Sequence, residues 1–201
     1  GHDREFRWVF SAHRYDDLCD GQRTLFRLTP TKDAMNLRAP IGIFGVGVEG
    51  RATIDYLLSA GVSPGDIWAL DREEVKGLPV GVRSVMGESY DSDLTPYRTI
   101  FRSPGIRPDH PALLRALEDG SRVTSALTHF LEICPAKVVG ITGTLGKGTA
   151  STLLSLMLEK AGFCVHLGGN IGKSPLAFAD KVKTSDIVVL EISSFQAMDL
   201  A

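Results

Sequence analysis

From Ile41 onward, short apolar runs alternate with stretches of helical periodicity. "IGIF" (41–44) lies between Pro40 and Gly45 and predicts a strand. Ile54, Leu57 and Leu58 then recur at helical spacing until Gly61. "IWAL" (67–70) predicts a second strand, followed by Asp71, and "TIF" (99–101) a third, followed by "RSPG". "HPALLRALEDG" predicts a helix with Leu113, Leu114 and Leu117 on one face and Gly120 as its stop. The pattern restarts after Pro135. "KVVGI" predicts a strand and "TGTLGKGT" its turn; Leu154, Met157, Leu158 and Ala161 line a helix that Gly162 closes. "DIVVLE" (186–191) predicts another buried strand. Strand–helix–strand alternation of this kind predicts parallel α/β sheets. The boundary between the two units is expected between Leu131 and Lys137, where Pro135 interrupts a helix.

Residues 1–39 do not fit this rhythm. They are rich in charge and carry Phe6, Trp8, Phe10 and Tyr15; "FRWVF" alternates like a strand. They are expected to be an extension, and no role attaches to them.

Composition narrows the class. A net charge of −2 gives no basic surface for nucleic acid or an anionic membrane. No apolar run reaches the roughly 18 residues of a membrane span, and the N-terminus has no apolar signal core. Cys19, Cys134 and Cys164 are scattered without a C-x-x-C pair. They predict a reducing, cytoplasmic setting and buried small hydrophobes rather than disulfides or zinc. The chain opens Gly-His-Asp without a Met and stops at "QAMDLA", soon after a strand signal, so it is expected to belong to a longer protein.

"GVGVEG" (45–50) satisfies G-x-G-x-x-G after a strand and before a helix. Its glycines allow a tight turn, close approach to a pyrophosphate, and close helix–strand packing. The helix start adds free N–H groups and partial positive charge. Asp71 ends the next strand, where dinucleotide enzymes place a ribose-binding acid. An NAD-dependent oxidoreductase is therefore one reading, although Glu49 inside the loop would repel a pyrophosphate.

"TGTLGKGT" (142–149) also joins a strand to a helix. Gly143, Gly146 and Gly148 free the backbone to wrap phosphate oxygens, and Lys147 is a point charge for the β and γ phosphates. Thr144 and Thr149 supply hydroxyls. Glu191 ends a strand expected beside the loop strand and is the natural carboxylate for Mg²⁺. "SSFQ" (193–196) follows, with polar Ser193, Ser194 and Gln196 able to bind substrate or order a metal-bound water. "GGNIG" (168–172) follows the strand-like "FCVHL", and Asn170 in it both donates and accepts.

This set resembles the ATP-dependent Mur ligases of peptidoglycan synthesis, whose phosphate loop reads T-G-[ST]-x-G-K. "GVGVEG", "ALDRE", "SPGI", "TGTLGKGT", "GGNIG" and "LEISSFQ" occur in the family's order. "GGNIG" followed by "SSFQ" is similar to the D-glutamate-adding branch. The resemblance implies a Rossmann-like parallel-sheet domain over 40–134 that holds a UDP-sugar, not NAD. The start of a P-loop-type α/β ATPase domain follows over 135–201. Val48, Glu49, Asp71, Arg72, Ser103, Pro104 and Gly105 would line the UDP part, with Asp71 at the uracil. Asn170 would meet the muramoyl-peptide portion. Gly143, Thr144, Leu145, Gly146, Lys147, Gly148 and Thr149 would bind ATP; Glu191 and Thr149 would hold Mg²⁺.

The implied reaction joins D-glutamate to UDP-N-acetylmuramoyl-L-alanine through an acyl phosphate, with ATP and Mg²⁺ as cofactors and the intact enzyme a monomer. Two positions depart from the family: Leu145 stands where Asn is usual, and Gly148 where Ser or Thr is usual. "GKG" before a hydroxyl residue resembles the loop of folylpolyglutamate synthase, which would move the metal hydroxyl to Thr149. The family's histidine ligand, carbamylated lysine and C-terminal domain would lie beyond Ala201, so this chain alone is expected to be inactive. Another Mur ligase, or a folylpolyglutamate synthase-like ligase, is the alternative. An oxidoreductase would leave "TGTLGKGT" unexplained, and a nucleotide-binding module without chemistry is a third reading.

Overall fold

The structure is a computed structural model and describes residues 37–200. "FRWVF", Cys19 and nearly all of the N-terminal extension therefore lie outside the described residues. Five strands form the first sheet: β1 (Ile41–Phe44), β2 (Ile67–Asp71), β3 (Arg83–Met86), β4 (Thr99–Arg102) and β5 (Arg122–Thr124). All pair in parallel, in the order β3-β2-β1-β4-β5. Its helices are α1 (Val48–Ser59), α2 (Pro111–Glu118) and α3 (Ala126–Ile133). The second sheet holds β6 (Lys137–Ile141), β7 (Val165–Gly169) and β8 (Ile187–Glu191), also parallel, in the order β6-β8-β7. The helices α4 (Lys147–Lys160) and α5 (Ser194–Met198) accompany it.

The expected α/β architecture is present, and β2 and β4 each run one residue past the apolar pattern, to Asp71 and Arg102. Two strands escape the pattern. β3 is a half-exposed edge strand, and β5 is three residues long at the other edge. Edge strands bury little and so carry weak periodicity.

Two helices present different faces from those expected. In α2 the buried residues are Ala112, Leu113 and Ala116, while Leu114 and Leu117 are about half exposed. Small residues let the helix sit close to the sheet. In α4 the buried pair is Ser151 and Ser155, and Met157 is exposed. Both serine hydroxyls donate to carbonyls one turn back, those of Lys147 and Ser151, which satisfies them without solvent.

One apolar cluster spans both sheets. Ile54 and Leu57 of α1 and Leu127 and Phe130 of α3 join Leu176, Phe178, Val188 and Leu190 of the second unit. Phe130 meets Phe178 edge-on at 5.6 Å. Each such fully buried side chain stabilises the fold by roughly 1.5–3 kcal/mol. The two sheets are thus held by a shared core.

Candidate functional site

The first sheet reverses its winding at β1, with β2 on one side and β4 on the other. A crevice opens outside the carboxyl ends of the strands at such a switch point. Here the Gly45 N–H donates to the Leu70 carbonyl at 2.8 Å and the Ser103 N–H to the Phe44 carbonyl at 2.9 Å. A Cβ on Gly45 would lie 2.7 Å from Cβ of Ser103, so the backbone of the first loop lies against the Ser103 side chain. Asp71 clamps the crevice: Oδ2 accepts from the Val46 N–H at 2.6 Å and Oδ1 from the Glu73 N–H at 3.0 Å. Val48 and Arg72 are exposed at the mouth. Beside Ser103, Pro104 and Gly105, a cavity of about 390 Å³ is lined by Tyr90, Gly105, Ile106, Arg107 and His110.

Glu49 does not face that mouth. Its Oε1 accepts from Nε2 of Gln196 at 2.5 Å, across 147 positions of sequence. Burial raises the Glu49 pKa above the usual carboxylate range, against the Gln196 hydrogen bond and the charge of Arg102. Arg102, buried, pairs with Asp199 and donates to the carbonyls of Ser103 and Ile106. Burial lowers the guanidinium pKa, opposed by Glu49. Four polar side chains from both units therefore meet at the junction.

The second loop lies at the carboxyl end of the second sheet. Register pairs Glu191 with Ile141 on one side and with Gly169 on the other, so its carboxylate sits between "TGTLGKGT" and "GGNIG". Glu191 is 4% exposed. Nδ2 of Asn170 donates to its Oε1 at 2.9 Å, and the Asn170 N–H donates to its carbonyl at 2.8 Å. A Cβ on Gly148 would lie 3.1 Å from its Oε2. The carboxylate therefore packs against the first turn of α4, at the position after the lysine. Nζ of Lys147 donates to the Gly143 carbonyl at 2.8 Å and lies 3.5 Å from that of Thr144. Gly146 opens α4 in the left-handed conformation at φ 76°, with no side-chain cap.

The helix starts differ in a telling way. α2, α3 and α5 are capped by the side chains of His110, Ser125 and Ser193. α1 and α4, the two that follow glycine loops, have no side-chain cap. Their first-turn N–H groups stay available to an anion.

Several expected roles shift. Asn170 gives one amide N–H to Glu191 and remains exposed beside it. Ser193 and Gln196 form a reciprocal capping box on α5 rather than standing free, while Ser194 is exposed. Thr149 is exposed and turned about 100° round the helix from Gly148, the residue that faces Glu191. Among the described residues no hydrogen bond joins Thr149 to Glu191. Leu145 is 92% exposed, so no contact explains it. Cys134 is buried as expected, but Cys164 is exposed. Arg102 and Asp199 were not foreseen. S-x-x-Q before a short helix does signal a capping box, but an ion pair across 97 positions leaves no local signal.

The family model for the Mur ligase MurD-like N-terminal domain matches residues 39–125. The UDP-N-acetylmuramoylalanine–D-glutamate ligase of Ruminiclostridium cellulolyticum is 41% identical over 179 residues, covering 84% of this chain and 37% of that protein. The chain belongs to the Mur ligase family, on its MurD-like side. The ligase of the same name from Clostridium kluyveri is 38% identical over 168 residues, covering 80% of this chain and 36% of that protein. The chain thus spans little more than a third of the length of these relatives. A solved structure of a murein peptide ligase from Psychrobacter arcticus overlaps 75% of this chain and 37% of its own, at 18% identity and a TM-score of 0.42. Among the described residues no helix is long and apolar enough to cross a membrane.

Proposed function

We propose that the protein is an ATP-dependent, ADP-forming amide ligase of peptidoglycan precursor synthesis, acting in the cytoplasm. It adds D-glutamate to UDP-N-acetylmuramoyl-L-alanine. Residues 40–134 hold the UDP-sugar, with Val48, Asp71, Arg72 and Ser103 to Gly105 at its crevice. Residues 135–201 begin the ATP-binding part. The observation that carries this reading is the buried Glu191 carboxylate, fixed by Asn170 and facing Gly148 at the uncapped start of α4, beside Lys147.

A buried, oriented carboxylate oxygen beside free backbone N–H groups suits a hard cation and a polyphosphate together. Glu191 would hold Mg²⁺, which when bound neutralises charge on the transferring phosphoryl group. The amides of 143–149 and Lys147 orient the phosphates, and that positioning supports transfer to the substrate carboxylate. Glu49 points into the junction, so its charge does not oppose the diphosphate at the crevice.

Thermal shift separates the classes. UDP-N-acetylmuramoyl-L-alanine and Mg-ATP are each expected to stabilise the chain; stabilisation by NADH alone sinks the reading. In the full-length ligase, incorporation of labelled glutamate is expected for the D isomer, and a preference for L would refute that specificity. Lys147→Ala is expected to lower phosphate release at least ~10²-fold, the usual scale for a positioned charge. Retention of more than about a tenth of the activity contradicts its role.

A further inference from the structure

At the opposite end of the second sheet from Glu191, Cys164, His166 and Asp186 converge. Cys164 immediately precedes β7 and His166 is its second residue, so both side chains lie on one face of that strand. Asp186 immediately precedes β8. Val165 pairs with Ile187, and the Ile187 N–H donates to the Cys164 carbonyl at 2.9 Å, which brings Asp186 alongside. One thiol sulfur, one ring nitrogen and one carboxylate oxygen all lie within 4.8 Å of one another.

The surroundings orient two of the three. Asp186 is 4% exposed; its Oδ2 accepts from the Lys183 N–H at 2.9 Å, and Oδ1 from the Ser185 hydroxyl at 3.2 Å. Nε2 of His166 lies 2.9 Å from Oδ2. The imidazole stacks on Phe178 with centroids 5.6 Å apart and planes 14° from parallel. Cys164 is exposed and admits solvent.

We propose that Cys164, His166 and Asp186 bind a divalent transition metal of the zinc class, which clips the edge strand β7 to the central strand β8. Thiolate, imidazole and carboxylate are the donors zinc takes, at about 2.3, 2.0 and 2.1 Å, and a tetrahedral site then sets donors about 3.3–3.6 Å apart. The metal replaces the proton between His166 and Asp186, so that pair opens by a few tenths of an ångström while the thiolate closes in. Solvent beside Cys164 supplies the fourth donor. The hydrogen bonds from Lys183 and Ser185 are the outer contacts that hold a ligating carboxylate in place. Magnesium, which requires oxygen donors, is excluded by the sulfur and nitrogen. Glu191 lies five positions along the strand from Asp186, roughly 16 Å at about 3.3 Å per residue, so this site is separate from the one proposed for ATP.

The test is titration of the chelator-stripped, 201-residue chain with Co²⁺, then Zn²⁺. One cobalt per chain is expected, with a thiolate charge-transfer band and the intense visible bands of tetrahedral geometry. Zinc is expected to displace it, and millimolar magnesium to leave it in place. Cys164→Ser sits at an exposed position and leaves the packing intact. It should abolish the thiolate band and weaken zinc binding at least tenfold, since even an outer-shell partner is worth 10–100-fold. Asp186→Asn, which keeps an acceptor for Lys183, should weaken zinc binding by a similar factor. A missing thiolate band overturns the proposal, as does a band or zinc affinity that survives Cys164→Ser unchanged.

Discussion

Gly169→Ala tests how tightly the "GGNIG" motif braces the candidate metal carboxylate. Gly169 has φ 104°, and an added Cβ would lie 2.2 Å from the Glu191 carbonyl oxygen and 3.0 Å from both its carbonyl carbon and its nitrogen. Those are backbone atoms of the central strand and cannot swing aside. Two terms follow. An L side chain in this sparsely populated conformation costs about 1–3 kcal/mol. Forced overlap in a packed site adds about 1–3 kcal/mol. Gly172, in the same motif, also has positive φ, at 72°, but a Cβ there meets nothing within 4 Å. Gly172→Ala therefore carries the first term alone. The entropy Ala removes from the unfolded chain is common to both and cancels. Urea unfolding should show Gly169→Ala less stable than Gly172→Ala by about 1–3 kcal/mol, with unchanged m. Stabilisation by Mg-ATP should shrink in Gly169→Ala, because the overlap is relieved only by moving β8. Losses equal within about 0.5 kcal/mol would refute the argument from backbone contact.

Three further outcomes are expected. Burial raises the folded-state pKa of Glu49 above its ordinary 4.5, so the folded chain binds the extra proton and stability falls as pH rises from 4.5 through the raised value. Glu49→Gln removes that slope: thermal melts should match the parent below pH 4.5 and exceed it at neutral pH, and a less stable variant at neutral pH would contradict the sign. Arg102→Met strands Asp199 and Glu49 without their cation and should cost about 3–5 kcal/mol by denaturant titration, with Asp199→Leu added to it restoring part of the loss. Additive losses in the double variant would mean the pair is not coupled. Ser193→Ala removes the cap of α5 and should cost about 1 kcal/mol; no change would show that the capping box does not hold that helix.

What the sequence made legible was whatever is local. The strands at 41–44, 67–71, 99–102, 137–141 and 187–191 are apolar runs cut off by glycine, proline or charge, and both glycine loops sit at strand–helix junctions. β3 and β5 were missed because edge strands bury too little to leave a period. The buried faces of α2 and α4 were misread for a related reason: the closest approach to a sheet is made by the smallest residues, Ala112, Ala116, Ser151 and Ser155, which carry no hydropathic signal. At the candidate site, residue types were readable but directions were not. Asn170, Gln196 and Glu49 are polar at the expected positions, yet each is turned toward a partner far along the chain.

Glu49 shows what direction changes. By residue type, a carboxylate within G-x-G-x-x-G counts against any phosphate ligand. By geometry, it removes its charge from the crevice and spends its hydrogen bond on Gln196. Oε1 of Gln196 accepts from the Ser193 N–H at 3.0 Å, and Ser193 lies two residues beyond Glu191. A continuous line of hydrogen bonds and backbone thus joins the first glycine loop to the strand end bearing the buried carboxylate. Arg102 and Asp199 make a second tie from the end of β4 to the same short helix. The junction therefore fixes the two crevices relative to each other through buried polar groups. Such groups have strict geometry and lose more than an apolar contact does when displaced. The ligation proposed above requires that fixed spacing, and these polar ties add direction to the shared apolar core.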